Sequence, residues 1–242
     1  MNLLHLFSLL LATARSVQAI VGGAEATKGH IPFIVALART SFYCAGTLVG
    51  SQHVLTAAHC VHGISMSSMK VRLDSLRHAS GGTQISISAI AVHSQYNATT
   101  LENDVAVLTL TKSYTGIAPA QLPSNDHTPE KGSSVRIAGW GMTSDGGSYT
   151  ATLRTTSENI VGSKDCHAAY KGVLTVTEDD ICAGVTAGGK GACSFDDGGP
   201  VIDSNNTLIG IISRRKRCAL PGYPDIDARV GAYLDWISSQ MA

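Results

Sequence analysis

Short runs of β-branched and aliphatic residues recur along the whole chain between clusters of Gly, Ser, Asn and Asp, and this punctuation narrows the fold more than any other feature. Segments 33–38, 84–92, 105–110, 134–140 and 207–213 read as strands. Within 84–92, Ile85, Ile87 and Ile90 interleave with serines, close to the alternation of a half-buried strand. A helical period emerges only at the end, where Tyr233, Leu234, Trp236 and Ile237 share one face of a helix over about 231–242. Between 112 and 131 the composition turns to Thr, Ser, Pro and Asp. That suits a connector between two β domains of similar length, about 20–120 and 121–230. The pattern is all-β, without repeats or low-complexity tracts.

The 242 residues are 44% hydrophobic and carry 18 Lys plus Arg against 18 Asp plus Glu. Such a chain can bury a sizeable core, and its charge balance argues against broad attraction to nucleic acid or an anionic membrane. The apolar run from Leu3 to Ala12 is too short to cross a bilayer and is followed by small-residue cleavage sites at Ala14 and Ala19. Residues 1–19 therefore read as a secretory signal, with or without a short pro-segment, and the remainder as an extracellular, monomeric protein.

Secretion makes Cys44, Cys60, Cys166, Cys182, Cys193 and Cys218 disulfide partners rather than metal ligands, with fifteen pairings open on spacing alone. Asn97-Ala98-Thr99 and Asn205-Asn206-Thr207 are candidate glycosylation sites. No cofactor and no metal are expected. A His59–Asp197 metal site lacks a second histidine nearby.

Three separated segments then matter together: Leu55-Thr56-Ala57-Ala58-His59-Cys60, Asn103-Asp104-Val105-Ala106, and Cys193-Ser194-Phe195-Asp196-Asp197-Gly198-Gly199-Pro200. With Ile20-Val21-Gly22-Gly23, Gly139-Trp140-Gly141 and Cys182-Ala183-Gly184, their order and spacing make the chain from Ile20 onward resemble the trypsin-like serine proteases. The trypsins secreted by filamentous fungi look most similar. The resemblance implies two six-stranded antiparallel Greek-key β-barrels with a cleft between them and a C-terminal helix. It also implies the pairings Cys44–Cys60, Cys166–Cys182 and Cys193–Cys218.

In that family a serine attacks the peptide carbonyl, a histidine takes its proton, and a buried aspartate orients the histidine. The resemblance assigns the last two roles to His59 and Asp104, and places Asp197 where the serine stands. Asp196 takes the position that pairs with the freed ammonium of Ile20. A carboxylate attacking an amide would form a mixed anhydride, and it offers His59 no proton to remove. Ser194, three residues upstream, lies off the turn that aims the nucleophile. Flanked by Asp104 and Asp197, His59 is expected to favour its charged form.

Further departures surround Asp197. The oxyanion glycine position is Phe195, whose side chain threatens the amide geometry of the hole. The base of the specificity pocket is Gly191. The substrate-pairing strand reads Ser213-Arg214-Arg215, and Asp225 and Asp227 stand where a glycine and an aromatic are usual. Ala19 before Ile20 excludes tryptic activation.

From these changes the expected function is that of a non-enzymatic, binding or regulatory pseudoprotease. Its partner would be an unidentified protein or an anionic glycan, held by the former cleft or by the run Arg214-Arg215-Lys216-Arg217. Those arginines either face outward as a platform or fold onto Asp225 and Asp227. The alternative functions are a residual serine-type hydrolase with a degraded site, or an inert secreted protein.

Overall fold

The computed structural model describes residues 20–124, 126 and 128–242. The signal segment and its cleavage sites at Ala14 and Ala19 lie outside the described residues. A two-residue strand β1 (Ala24–Glu25) precedes a first barrel of β2 (Ile34–Ala38), β3 (Phe42–Leu48), β4 (His53–Thr56), β5 (Lys70–Leu73), β6 (Thr83–Val92) and β7 (Ala106–Leu110). These close in the order β2-β3-β4-β7-β6-β5.

The second barrel takes β8 (Ser134–Gly139), β9 (Arg154–Val161), β10 (Asp180–Gly184), β11 (Pro200–Ile202), β12 (Leu208–Arg214) and β13 (Asp225–Arg229). Its order is β8-β9-β10-β13-β12-β11, closed by β11 pairing with β8, and β1 is added on β9. All ladders are antiparallel, and closure removes the exposed edges that would otherwise template aggregation. The chain therefore folds as two closed six-stranded barrels, the all-β architecture expected.

The spacing of Ile85, Ile87 and Ile90 has a structural cause. The ladder between β6 and β7 shifts register between Ile87 and Ala89, so the strand carries an extra residue there. Ile85 and Ile87 bury before that bulge, and Ile90 packs against the same core after it. The second barrel is filled by Ile20, Val135, Ile137, Ile160, Ile181, Ala183, Val201, Ile209 and Ile212.

A short helix α1 (Ser163–Tyr170) precedes β10, and a 3-10 turn over Val230–Tyr233 leads into the terminal helix α2 (Leu234–Gln240). Tyr233 and Ile237 are its buried anchors. Among the described residues no helix is long and apolar enough to cross a membrane.

The disulfides join Cys44 to Cys60, Cys166 to Cys182 and Cys193 to Cys218, the pairing the resemblance implies. Cys44–Cys60 fixes the turn bearing His59 to β3. Cys193–Cys218 ties the loop of Asp197 to the loop that follows β12.

Candidate active site

His59 sits in a 3-10 turn, Ala58–Cys60, that leaves the end of β4 at the face between the barrels. Asp104 immediately precedes the first residues leading into β7, behind Asn103 in the left-handed region at φ 53°. Its Oδ1 accepts the His59 backbone N–H at 2.8 Å, and its Oδ2 lies 2.7 Å from His59 Nδ1. Ser213, near the end of β12, donates its hydroxyl to the same Oδ2 at 2.6 Å. Asp104 is thus held from both barrels, and it is 1% exposed.

Burial opposes the charge on Asp104. The hydrogen bond and charge of His59, with the Ser213 hydroxyl, outweigh it and hold the carboxyl below its ordinary range. Burial likewise opposes a charged His59. The bond and charge of Asp104, helped by Asp197, prevail and raise the imidazole above its ordinary value. The expectation of a charge-favouring His59 agrees with this direction.

Asp197 lies on a turn whose shape requires the glycine after it. Gly198 is at φ 81°, and a Cβ there would collide with Thr56 Oγ1 and the Ala45 carbonyl. The Ala45 N–H donates to the Asp197 carbonyl at 2.8 Å, which sets the turn against β3. Asp197 Oδ2 faces His59 Nε2 across 4.0 Å, while Oδ1 accepts Arg215 Nη2 at 2.8 Å. Ser194 is exposed, and among the described residues its hydroxyl makes no bond to His59.

Phe195 was expected to disturb the oxyanion amides. It takes the left-handed conformation a glycine would take, at φ 76°, with its ring 5.4 Å from Tyr149 and 6.4 Å from Phe42. A non-glycine residue held there costs on the order of 1–2 kcal/mol, and the aromatic contacts offset part of it. Among the described residues neither the Phe195 nor the Asp197 amide donates a backbone or side-chain hydrogen bond, so two N–H groups remain available beside Asp197.

Arg214 and Arg215 fold inward. Arg214 Nη2 pairs with Asp180 at 2.6 Å, and the same guanidinium donates to the carbonyls of Thr175 and Leu101 at 3.0 Å each. Arg215 Nε donates to Asp225 Oδ1 at 3.0 Å, and Asp225 Oδ2 accepts the Ala192 N–H. Arg217 pairs with Asp145, and Lys216 Nζ stands 4.0 Å from the centre of the Tyr223 ring. Arg214 and Arg215 therefore leave the outward run, whereas the Arg217 side chain, 64% exposed, stays at the surface.

Asp227 does not meet an arginine as expected. Arg214 is drawn instead to Asp180, which the sequence reading missed, at the start of β10, two residues before the Cys182-Ala183-Gly184 motif but no part of it. Glu158 was missed as well. Its carboxylate lies inside the second barrel, close enough that a Cβ on Gly191 would stand 3.2 Å from Oε1. Burial, then the charges of Asp225 and Asp227, raise Glu158 far above its ordinary value.

Ile20 is fully buried, and the Val21 carbonyl accepts the Gly191 N–H at 3.2 Å, so the start of the described chain packs beside the same glycine. Asp196 accepts the Gly141 N–H at 2.7 Å and the Cys193 N–H at 3.0 Å. A Cβ on Gly139 or Gly141 would collide with this carboxylate, which explains the two glycines around Trp140. Burial pushes Asp196 up to about 7 despite those two bonds. Both sequon asparagines, Asn97 and Asn205, are exposed.

A family profile described as Trypsin matches residues 20–237. The chain belongs to the trypsin family. This trypsin-family chain is 41% identical over 228 residues to "Trypsin Blo t 3" of Blomia tropicalis, covering 91% of this chain and 85% of that protein. It is 36% identical over 228 residues to "Trypsin 5G1" of Aedes aegypti, covering 92% and 85%. It is 35% identical over 227 residues to "Trypsin Tyr p 3.0101" of Tyrophagus putrescentiae, covering 90% and 79%. These relatives are from arthropods, mites among them, which corrects the fungal likeness.

They also correct the expectation of a non-enzyme. Proteins 35–41% identical over nine-tenths of this trypsin-family chain are named trypsins and point to a proteolytic enzyme rather than a pseudoenzyme. That expectation rested on the departures at Asp197, Phe195, Gly191, Arg214, Arg215, Asp225 and Asp227 taken together. The chain His59–Asp104–Ser213 and the two free amides are in place around Asp197. The group Cys44, His59 and Cys60 has donor atoms close together, but both sulfurs are in a disulfide and offer no thiolate.

Proposed function

We propose that this trypsin-family protein is a secreted hydrolase of peptide or ester bonds in which His59 activates a water molecule beside Asp197, in place of attack by a side-chain hydroxyl. The observation that carries the reading is the ordered contact Ser213–Asp104–His59, at 2.6 and 2.7 Å, whose free Nε2 faces Asp197 Oδ2 across 4.0 Å. Two acceptors that far apart can share one water about 2.8 Å from each. Secretion is supported by the three disulfides and by the apolar leader in the sequence.

The water oxygen attacks the substrate carbonyl carbon while His59 Nε2 takes one of its protons. Asp197 accepts the other water proton as a hydrogen bond and remains a carboxylate. The carbonyl electrons move to oxygen, where the Phe195 and Asp197 amides can donate to the oxyanion. Collapse of the adduct expels the amine or alcohol, which leaves with the proton held by His59. The other product is the carboxylic acid, so the balance is one water per bond cleaved. Asp104 holds the tautomer and stabilises the imidazolium throughout.

The test uses a chain beginning at Ile20 with a panel of peptide esters, thioesters and amides. Hydrolysis is expected, with His59→Ala lowering the rate roughly 100- to 10,000-fold. A fluorophosphonate should leave the protein unlabelled, because no hydroxyl is activated, whereas Asp197→Ser should become labelled. Absence of any His59-dependent turnover between pH 5 and 9 would overturn the reading.

A further inference from the structure

Two residues at the end of β12 hold the two carboxylates that flank His59. Ser213 donates to Asp104 Oδ2 at 2.6 Å, and Arg215, two residues on, donates from Nη2 to Asp197 Oδ1 at 2.8 Å. Arg214 between them turns away to Asp180. The ladder between β12 and β13 shifts register between Ile212 and Arg214, so the strand carries an extra residue just before Arg215. Such a bulge re-aims the side chains beside it.

Arg215 is itself anchored. Its Nε donates to Asp225 Oδ1 at 3.0 Å, and Asp225 Oδ2 accepts the Ala192 N–H at 2.9 Å. A planar guanidinium presents its N–H groups in fixed directions, so binding Nε to Asp225 sets the direction of Nη2. Asp197 Oδ1 is thereby committed, and Oδ2 is left as the oxygen facing His59 Nε2 across 4.0 Å. The Arg215 and Asp225 side chains are only 9% and 6% exposed. Stability alone does not explain such a buried arrangement, because taking the charges out of water offsets most of their attraction.

We infer that Arg215 is a positioning residue for hydrolysis: it fixes the Asp197 carboxylate so that a single oxygen meets the water beside His59, and it holds that oxygen back from direct pairing with the imidazole. The inference rests on the hydrolytic reading above. A carboxylate released from Arg215 is free to rotate and close the gap to His59 Nε2, which replaces the water by an ion pair and masks the base. The charged groups acting on His59 are Asp104, Asp197 and Arg215. The two carboxylates favour its cationic form, and the guanidinium opposes it.

The test follows the His59 imidazole by NMR titration in a chain beginning at Ile20, a readout that needs no turnover. Arg215→Gln should raise the His59 midpoint above the native one. The rise should be smaller in an Asp197→Asn background, because Arg215 acts on the imidazole chiefly through Asp197. With the ester panel, Arg215→Gln should lower kcat roughly 10- to 100-fold and leave KM within about twofold. If Arg215→Gln is recovered unfolded, Arg215→Lys, which keeps the cation but not the planar fork, replaces it in each comparison. No rise, a rise equal with and without Asp197, or a rate loss confined to KM would sink the inference. Absence of hydrolysis by the native chain counts against the hydrolytic reading instead, and the titration alone then decides whether Arg215 positions Asp197.

Discussion

Asp180 and Arg214 form the most deeply buried ion pair of the site region, with side chains 3% and 4% exposed. Removing one member leaves the other charged and uncompensated. Asp180→Ala is therefore expected to cost about 3–5 kcal/mol, measured by urea unfolding, with Asp180→Asn milder because it keeps an acceptor. His59 carries a prediction in pH. Its raised value means the neutral base is populated only at higher pH, so hydrolysis should rise with pH through a midpoint above the ordinary histidine value. Asp104→Asn removes the main cause of that rise, and the midpoint should move down in a pH–rate profile. The sequence pattern exposed His59, Asp104 and Asp197 because they sit in motifs. Glu158 could not be found that way. On β9 the inward residues Arg154, Thr156 and Glu158 are as polar as the outward Thr155 and Ser157, so polarity does not tell the two faces apart.

The segments read as strands end within about a residue of β2, β6, β7, β8 and β12, because each is a compact run rich in aliphatic residues bounded by turn-forming residues. The short β1 was not readable in advance: two exposed residues carry no period, and only their pairing with Thr155 and Arg154 makes them a strand. Helix α1 was missed for a related reason, since only Cys166 and Tyr170 of its eight residues are buried. Loops meet tighter limits. Gly139, at the end of β8, has its Cα hydrogen facing the Asp196 carboxylate, so Gly139→Ala should cost about 3 kcal/mol or more by displacing a fully buried side chain. Loss of the Cys193–Cys218 bridge, tested as Cys193→Ala with Cys218→Ala, should cost about 2–5 kcal/mol. It should also loosen the loop that begins at Arg215, visible as faster amide exchange over 215–218.

Acid–base behaviour belongs to the molecule as a whole. Asp196 is raised to about 7, and Glu158, Asp225 and Asp227 are raised in the same direction by burial. A carboxyl raised in the folded state binds protons that the unfolded chain has released, so each group lowers stability as pH climbs from about 4 through neutrality. His59 adds to this, because the stability from its raised value is full below its ordinary range and lost as pH passes the folded one. Asp104 acts oppositely, and only as pH falls through its depressed value. Melting temperature is therefore expected to peak in mildly acidic solution and decline toward neutral pH. A chain starting at Ile20, whose ammonium can neutralise Asp196, should show a shallower decline.

Arg214 reaches the Leu101 carbonyl of the first barrel while anchored to Thr175 and Asp180 of the second. One rigid guanidinium thus rivets the two halves across their seam. Entry of a guest between them must then proceed by rotation of individual side chains, not by hinge motion of the barrels, and solution scattering should give the same radius of gyration with and without a bound peptide.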